Sequence, residues 1–171
     1  MPKLLVRITL LIVFFAGTAP LVRAEWETDL PKAQERAKRE NKPIFLLFTG
    51  SSWCTYCQLL EQKILSRERF RQFANQRFIA VKINFSEPPY YSNTPPSSAK
   101  ERAKFEWAKS FDMNVGQPNT PQGLNGYPSV FILAADGTRL GEIPSGGGAS
   151  EAGVEAYIKA ITLKITPPAT P

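Results

Sequence analysis

Histidine is absent from the 171-residue chain, and cysteine occurs at two positions only, Cys54 and Cys57. A structural zinc site takes about four ligands from cysteine, histidine or carboxylate, and a single thiol pair with no histidine does not supply such a set. Covalent attachment of c-type haem needs a histidine directly after the second cysteine, where Gln58 stands instead. Cysteine-protease chemistry needs a base such as histidine beside the thiol. No metal and no cofactor is therefore expected. Long blocks of like charge are missing too. Lys32 to Lys42 mixes both signs as a solvated helix face does, so the formal charge of +6 does not amount to a nucleic-acid surface. Nor is there an apolar run of membrane-spanning length: Ile8 to Ala19 holds about a dozen residues against the ~20 required.

What that short run does fit is a leader. Lys3 and Arg7 precede it, and Pro20 and the small-residue site Val22-Arg23-Ala24 follow it, the pattern of a secretory signal peptide cleaved after Ala24. An uncleaved anchor is the rival, disfavoured by length. Cleavage removes Lys3, Arg7 and Arg23 and no acid, which lowers the charge from +6 to +3. Export leads to an oxidising compartment, where two cysteines ordinarily suggest a structural disulfide. Their spacing argues otherwise, because a bridge closed over so few residues restrains the unfolded chain little.

Residues 25–165 are long enough for one domain, with 166–171 a proline-rich flexible tail. Helix-forming residues run from Trp26 to Asn41, with Thr28 or Asp29 as N-cap and Pro31 in the first turn. Pro43 ends that helix. Ile44 to Phe48 is continuously apolar, which suits a central strand buried on both faces. After Gly50-Ser51-Ser52, helical spacing resumes from Cys54 to about Phe73, and Phe78 to Phe85 reads as a second strand. Ser97 or Ser98 caps a helix to about Phe111. Pro128 to Ala134 and Thr138 to Ile143 form a hairpin about Asp136-Gly137, and Ser150 caps a last helix through Leu163. Two irregular segments, Ser86 to Ser98 and Asn114 to Asn125, interrupt this order; such loops are either functional or passive. The whole is a mixed α/β sheet with helices on both faces.

In Trp53-Cys54-Thr55-Tyr56-Cys57 the thiols can bond within one turn, and the first lies where a strand hands over to a helix. Unpaired N–H groups at a helix start stabilise a thiolate. Cys54 is accordingly the nucleophile that forms a mixed disulfide, and Cys57, one turn further in, resolves it. An inert structural disulfide is the bland alternative.

The strand Ile44 to Phe48, the Trp-Cys-x-x-Cys pentapeptide, the strand around Lys82, and Gly126-Tyr127-Pro128 followed by a hairpin resemble the thioredoxin superfamily. Phe48 to Cys54 is particularly similar to its exported bacterial members. The resemblance covers about Trp26 to Leu163 and implies a thioredoxin-like fold. It further implies that Trp53 precedes the nucleophile, that Pro128 is a cis-proline facing the cysteines, and that the backbone of Tyr127 receives an extended substrate segment. Two departures stand out. The buried acid of thioredoxin's central strand is replaced by Leu47 or Phe48, which leaves its partner lysine, Lys82, solvated or paired elsewhere. Glu61, one turn after Cys57, is either a substitute acid or base or an ordinary surface residue. Thr55-Tyr56, in turn, provides no histidine to stabilise a Cys54 thiolate, which weighs against a strong oxidant.

The expected function is an exported, periplasmic or secreted thiol:disulfide oxidoreductase, closer to a reductase or interchange protein than to a strong oxidant. Its expected partners are protein thiols or disulfides and a redox partner protein, with no nucleic acid and no stable membrane span. The alternative is a thioredoxin-like binding module with an incidental or regulatory disulfide.

Overall fold

The computed structural model describes residues 26–86, 98–111, 126–145 and 147–166. The leader 1–24, nearly all of the two irregular segments and the end of the tail lie outside these residues.

Strand β1 (Ile44–Thr49) is the organising element, buried at every position. It pairs in parallel with β2 (Ile79–Asn84) and antiparallel with β3 (Ser129–Leu133), which pairs antiparallel with β4 (Arg139–Ile143), giving the order β2-β1-β3-β4. Because successive strand side chains point to opposite faces, β1 feeds two cores. Ile44, Leu46 and Phe48 join Val81, Ile83 and Phe131 under α1 (Leu30–Glu40) and α4 (Ala99–Lys109). Phe45 and Leu47 join Val130 and Ile132 on the opposite face, under α2 (Thr55–Leu60), α3 (Glu68–Arg77) and α5 (Gly147–Ile165).

The first helix starts at Leu30, behind the Asp29 cap expected from the sequence, and two later elements differ from the sequence expectation. Asp29 accepts from the N–H of Lys32 as N-cap and Pro31 fixes the first turn, while upstream Glu27 bridges Val81 through bonds to Ala80 and Lys82. Trp26, freed from the helix, packs edge-on to Phe45 at 5.9 Å.

The helix after the cysteines is broken. A π-helical turn covers Glu61–Leu65, closed by the Ser66 N–H on the Glu61 carbonyl at 2.9 Å, before the chain restarts as α3. This wider turn puts the adjacent residues Ile64 and Leu65 both into the core with Leu60 and Phe70. The last helix, finally, begins at Gly147 rather than at a Ser150 cap, and its path is interrupted at Gly153, whose φ of 81° only glycine adopts readily. The Asp136-Gly137 hairpin turn, the Ser98 cap and the central place of β1 follow the sequence reading.

Tyr157 of α5 is a polar group inside the second core. Its ring packs on Phe70 at 6.1 Å, and its hydroxyl is buried with no partner among the described residues. Burial pushes that phenol's pKa far up. Removing an unsatisfied buried hydroxyl while keeping the ring relieves a desolvation cost of about 1 kcal/mol. Tyr157→Phe is therefore expected to raise the urea midpoint of unfolding, and a lowered midpoint would show that the hydroxyl has a partner.

Candidate functional site

Thr49 is the last residue of β1, and Gly50 turns the chain out of the sheet. The Gly50 carbonyl accepts from the N–H groups of Trp53 and Cys54, at 3.2 and 2.8 Å, folding residues 50–54 into a tight turn. That turn delivers Cys54 to the N-cap position of α2, extended at φ −99° and ψ 107°. Its sulfur accepts from the N–H of Cys57 at 3.1 Å. With α2 only six residues long before the π turn, this local N–H, more than a long helix dipole, supports negative charge on Cys54.

Cys54 and Cys57 are disulfide-bonded, with Cα atoms 5.2 Å apart. Cys57 also accepts from the Gly50 N–H at 3.4 Å. Both cysteines are buried, at 7% and 3% exposure, whereas Tyr56 between them is 56% exposed.

Gly50 is needed here for its missing side chain. A Cβ at this position would run into the Trp53 indole, 2.7 Å from Nε1 and nearer still to Cε2 and Cζ2. Trp53 Nε1 donates to the Phe85 carbonyl at 3.0 Å, so the indole beside Gly50 ties the turn to the end of β2. Other bonds repeat this tie. Asn84 Oδ1 accepts from Ser51 N–H at 2.9 Å and from Ser51 Oγ at 3.0 Å, and Ser52 Oγ donates to the Ser86 carbonyl at 3.0 Å. Lys104 of α4 donates to the Asn84 carbonyl at 2.7 Å while pairing with Glu101.

On the facing side the Tyr127-Pro128 peptide bond is cis, and the Tyr127 carbonyl oxygen lies 3.5 Å from the Cys54 sulfur. The Tyr127 ring sits edge-on between Trp53 at 5.5 Å and Phe85 at 5.6 Å. Ser145, buried beyond β4, donates to the Pro128 carbonyl at 3.1 Å, and Ser129 Oγ donates to the Gly126 carbonyl at 2.6 Å. The five residues singled out in the sequence, Trp53, Cys54, Cys57, Tyr127 and Pro128, thus converge. Asn84, Ser51 and Ser145 were not singled out. A serine or asparagine after a strand reads as ordinary turn chemistry, and only the fold reveals that these bonds cross between elements.

Lys82 is paired. Its Nζ meets Glu61 Oε2 at 2.8 Å and lies 4.5 Å from the centroid of the Trp26 ring. Glu61 thereby reaches across to β2 instead of pairing along its own helix. Leu47 holds the β1 position opposite Lys82 in register.

A four-stranded sheet with a Cys-x-x-Cys pair at a helix start, facing a cis-proline, defines a thioredoxin-type fold with a redox-capable couple. Residues 30–162 match the thioredoxin-like domain family, and the chain belongs to it. Among curated proteins it is similar to the disulfide bond reductase DsbH of Chlamydia pneumoniae, 27% identical over 147 residues that cover 83% of this chain and 78% of the relative. Among solved structures it is similar to one described as DsbH oxidoreductase, with 24% identity, 88% of this chain and 92% of that chain covered, and a TM-score of 0.63. A disulphide isomerase from Xylella fastidiosa Temecula1 shares the fold at 22% identity, with 81% and 88% coverage and a TM-score of 0.50.

The close approach at Gly50 carries a prediction. Gly50→Ala must displace the Trp53 indole or the turn, an overpacking cost of about 1–3 kcal/mol. The urea midpoint is expected to fall accordingly; an unchanged midpoint would mean the indole moves away freely.

Proposed function

We propose that the chain is an exported thiol:disulfide oxidoreductase that exchanges disulfides with protein substrates through Cys54 and Cys57. The observation that carries this reading is the convergence of the couple with the Tyr127 carbonyl, 3.5 Å from the Cys54 sulfur, beside the cis Tyr127-Pro128 bond. An extended substrate segment laid against the Tyr127 backbone would bring its own disulfide to Cys54, a main-chain recognition that tolerates many sequences. Trp53 and the exposed Tyr56 flank the approach.

In the reduced chain the Cys54 thiolate attacks one sulfur of a substrate disulfide; that S–S bond breaks, a mixed disulfide forms, and one substrate thiolate leaves. Cys57 then attacks Cys54. The intramolecular disulfide forms, the second substrate thiolate leaves, and the substrate has gained two electrons. A redox partner protein restores the dithiol by the reverse exchange. Reduction or interchange is favoured over strong oxidation because Thr55-Tyr56 offers no imidazolium to stabilise the Cys54 thiolate, and the similar Chlamydia pneumoniae protein is named a disulfide bond reductase. Export rests on the leader pattern of residues 1–24, and among the described residues no helix is long and apolar enough to cross a membrane.

The test uses the mature chain with a protein disulfide such as insulin. Cys54→Ala is expected to abolish reduction, while Cys57→Ala accumulates a mixed disulfide with the substrate. A wild-type dithiol that never reduces the substrate would sink the reading. Equilibration with glutathione is expected to place the couple nearer to about −270 mV than to about −120 mV.

A further inference from the structure

Few polar residues are buried in this protein. Among the described ones, besides Tyr157, they are Thr49, Ser129 and Ser145, at 5%, 2% and 5% exposure. A hydroxyl is costly to bury unless it is bonded, and the rest of β3, Val130 to Leu133, is apolar and fully buried. A serine at its first position and another just beyond β4 therefore call for a reason.

Both serines bond to the same short stretch of main chain. Gly126, Tyr127 and Pro128 present three consecutive carbonyls. The first accepts from Ser129 Oγ at 2.6 Å and the third from Ser145 Oγ at 3.1 Å. The carbonyl between them, that of Tyr127, lies 3.5 Å from the Cys54 sulfur. A peptide unit is planar, so a carbonyl turns only with its whole plane. Holding the planes on either side fixes the direction of the one in the middle.

The anchors of the two hydroxyls are rigid parts of the sheet. Ser129 stands opposite Phe48 of β1 in register, so its bond refers the Gly126 carbonyl to the central strand. Ser145 lies two residues past the end of β4, and its hydroxyl is also 3.1 Å from the Ile143 carbonyl. Ile143 in turn pairs with Val130 of β3. A single hydroxyl thus joins the end of β4 to the residue before β3. The contacts of the Tyr127 ring with Trp53 and Phe85 seat the side chain, but they do not set the direction of the carbonyls.

We propose that Ser129 and Ser145 are positioning residues that aim the Tyr127 main chain at an extended substrate segment, and so favour protein disulfides over small ones. This rests on the exchange reading above. Neither serine passes a proton or an electron. A polypeptide substrate pairs its own backbone with that of Tyr127, and its binding depends on where the Tyr127 carbonyl points. A small aromatic disulfide has no main chain to lay there and reports the reactivity of Cys54 alone.

Two substrates offered to the reduced mature chain separate these effects. Ser145→Ala is expected to lower kcat/KM for insulin reduction about five- to tenfold, the scale of one neutral hydrogen bond, chiefly by raising KM. With dithiobis(nitrobenzoate), release of the first coloured thiolate should keep most of its rate. Ser129→Ala removes the other hydroxyl and should give the same split. Urea unfolding identifies which variants are folded, and either one alone decides. Equal losses on both substrates in a folded variant, as a general loosening of the fold would cause, would overturn the proposal, and so would an unchanged KM for insulin. A wild-type chain that reduces neither substrate would instead overturn the exchange reading beneath it.

Discussion

A strand that is apolar for five residues and buried on both faces must be placed before anything else in the molecule can be, and β1 holds that position. Its side chains alternate between two cores, each closed by helices that are amphipathic and cannot bury their own apolar faces alone. Each fully buried Leu, Ile or Phe is worth about 1.5–3 kcal/mol relative to exposure. The five from Ile44 to Phe48 thus contribute a gross term comparable to the whole net stability of a domain, about 5–15 kcal/mol. The end of such a strand is a fixed point, and Gly50, Cys54 and the start of α2 are built directly on it.

Everything around the cysteines then serves to hold a short, otherwise weak element in place. A helix of six residues followed by a π turn has little stability of its own. The turn before it is therefore tied down from outside: by Asn84 and the Phe85 carbonyl at the end of β2, through Asn84 to Lys104 of α4, and by the close seat of Trp53 on Gly50. The opposite wall, Tyr127 and Pro128, is held through Ser145 and by ring contacts to the same Trp53 and Phe85. The two walls share their aromatic packing, so the gap in front of the Cys54 sulfur is set by one cluster instead of two independent loops.

The strands, their order of appearance and the cysteine couple were legible because each rests on local chemistry: a continuous apolar run for β1, a hairpin at Asp136-Gly137, a Cys-x-x-Cys spacing. The Asp29 cap of the first helix was legible, but the path of Trp26 and Glu27 ahead of it was not, because neither carries a strand signal and it takes Phe45 and the edge of β2 to draw them into an extended path. The π turn was invisible for a similar reason. Leu60, Ile64, Leu65 and Phe70 fit an ordinary helical stripe to the eye, and only the demand that Ile64 and Leu65 both face the core widens the turn. Cys54 and Cys57 were singled out by their spacing and Pro128 by resemblance, and the structure brings them together. Asn84 and Ser145, which matter only through hydrogen bonds to other elements, were not singled out.

The Lys82–Glu61 pair gives the lysine on the strand beneath α2 a counter-ion without an acid in β1. As a half-exposed pair roofed by Trp26 it contributes only about 0–1 kcal/mol, so its consequence lies in where the charges sit more than in what they stabilise. An acid inside β1 would break the apolar strand on which the fold depends and incur the desolvation cost of a buried charge. Moving the carboxylate to Glu61 leaves the apolar run of β1 intact and keeps the acid in contact with water. Lys82 supplies direction: without a cation on that side, a glutamate at the helix surface turns outward, where solvation is best. Leucine in the strand and the pairing of Lys82 with Glu61 are therefore two halves of one arrangement, in which β1 carries no charge and the lysine's charge is met at the surface.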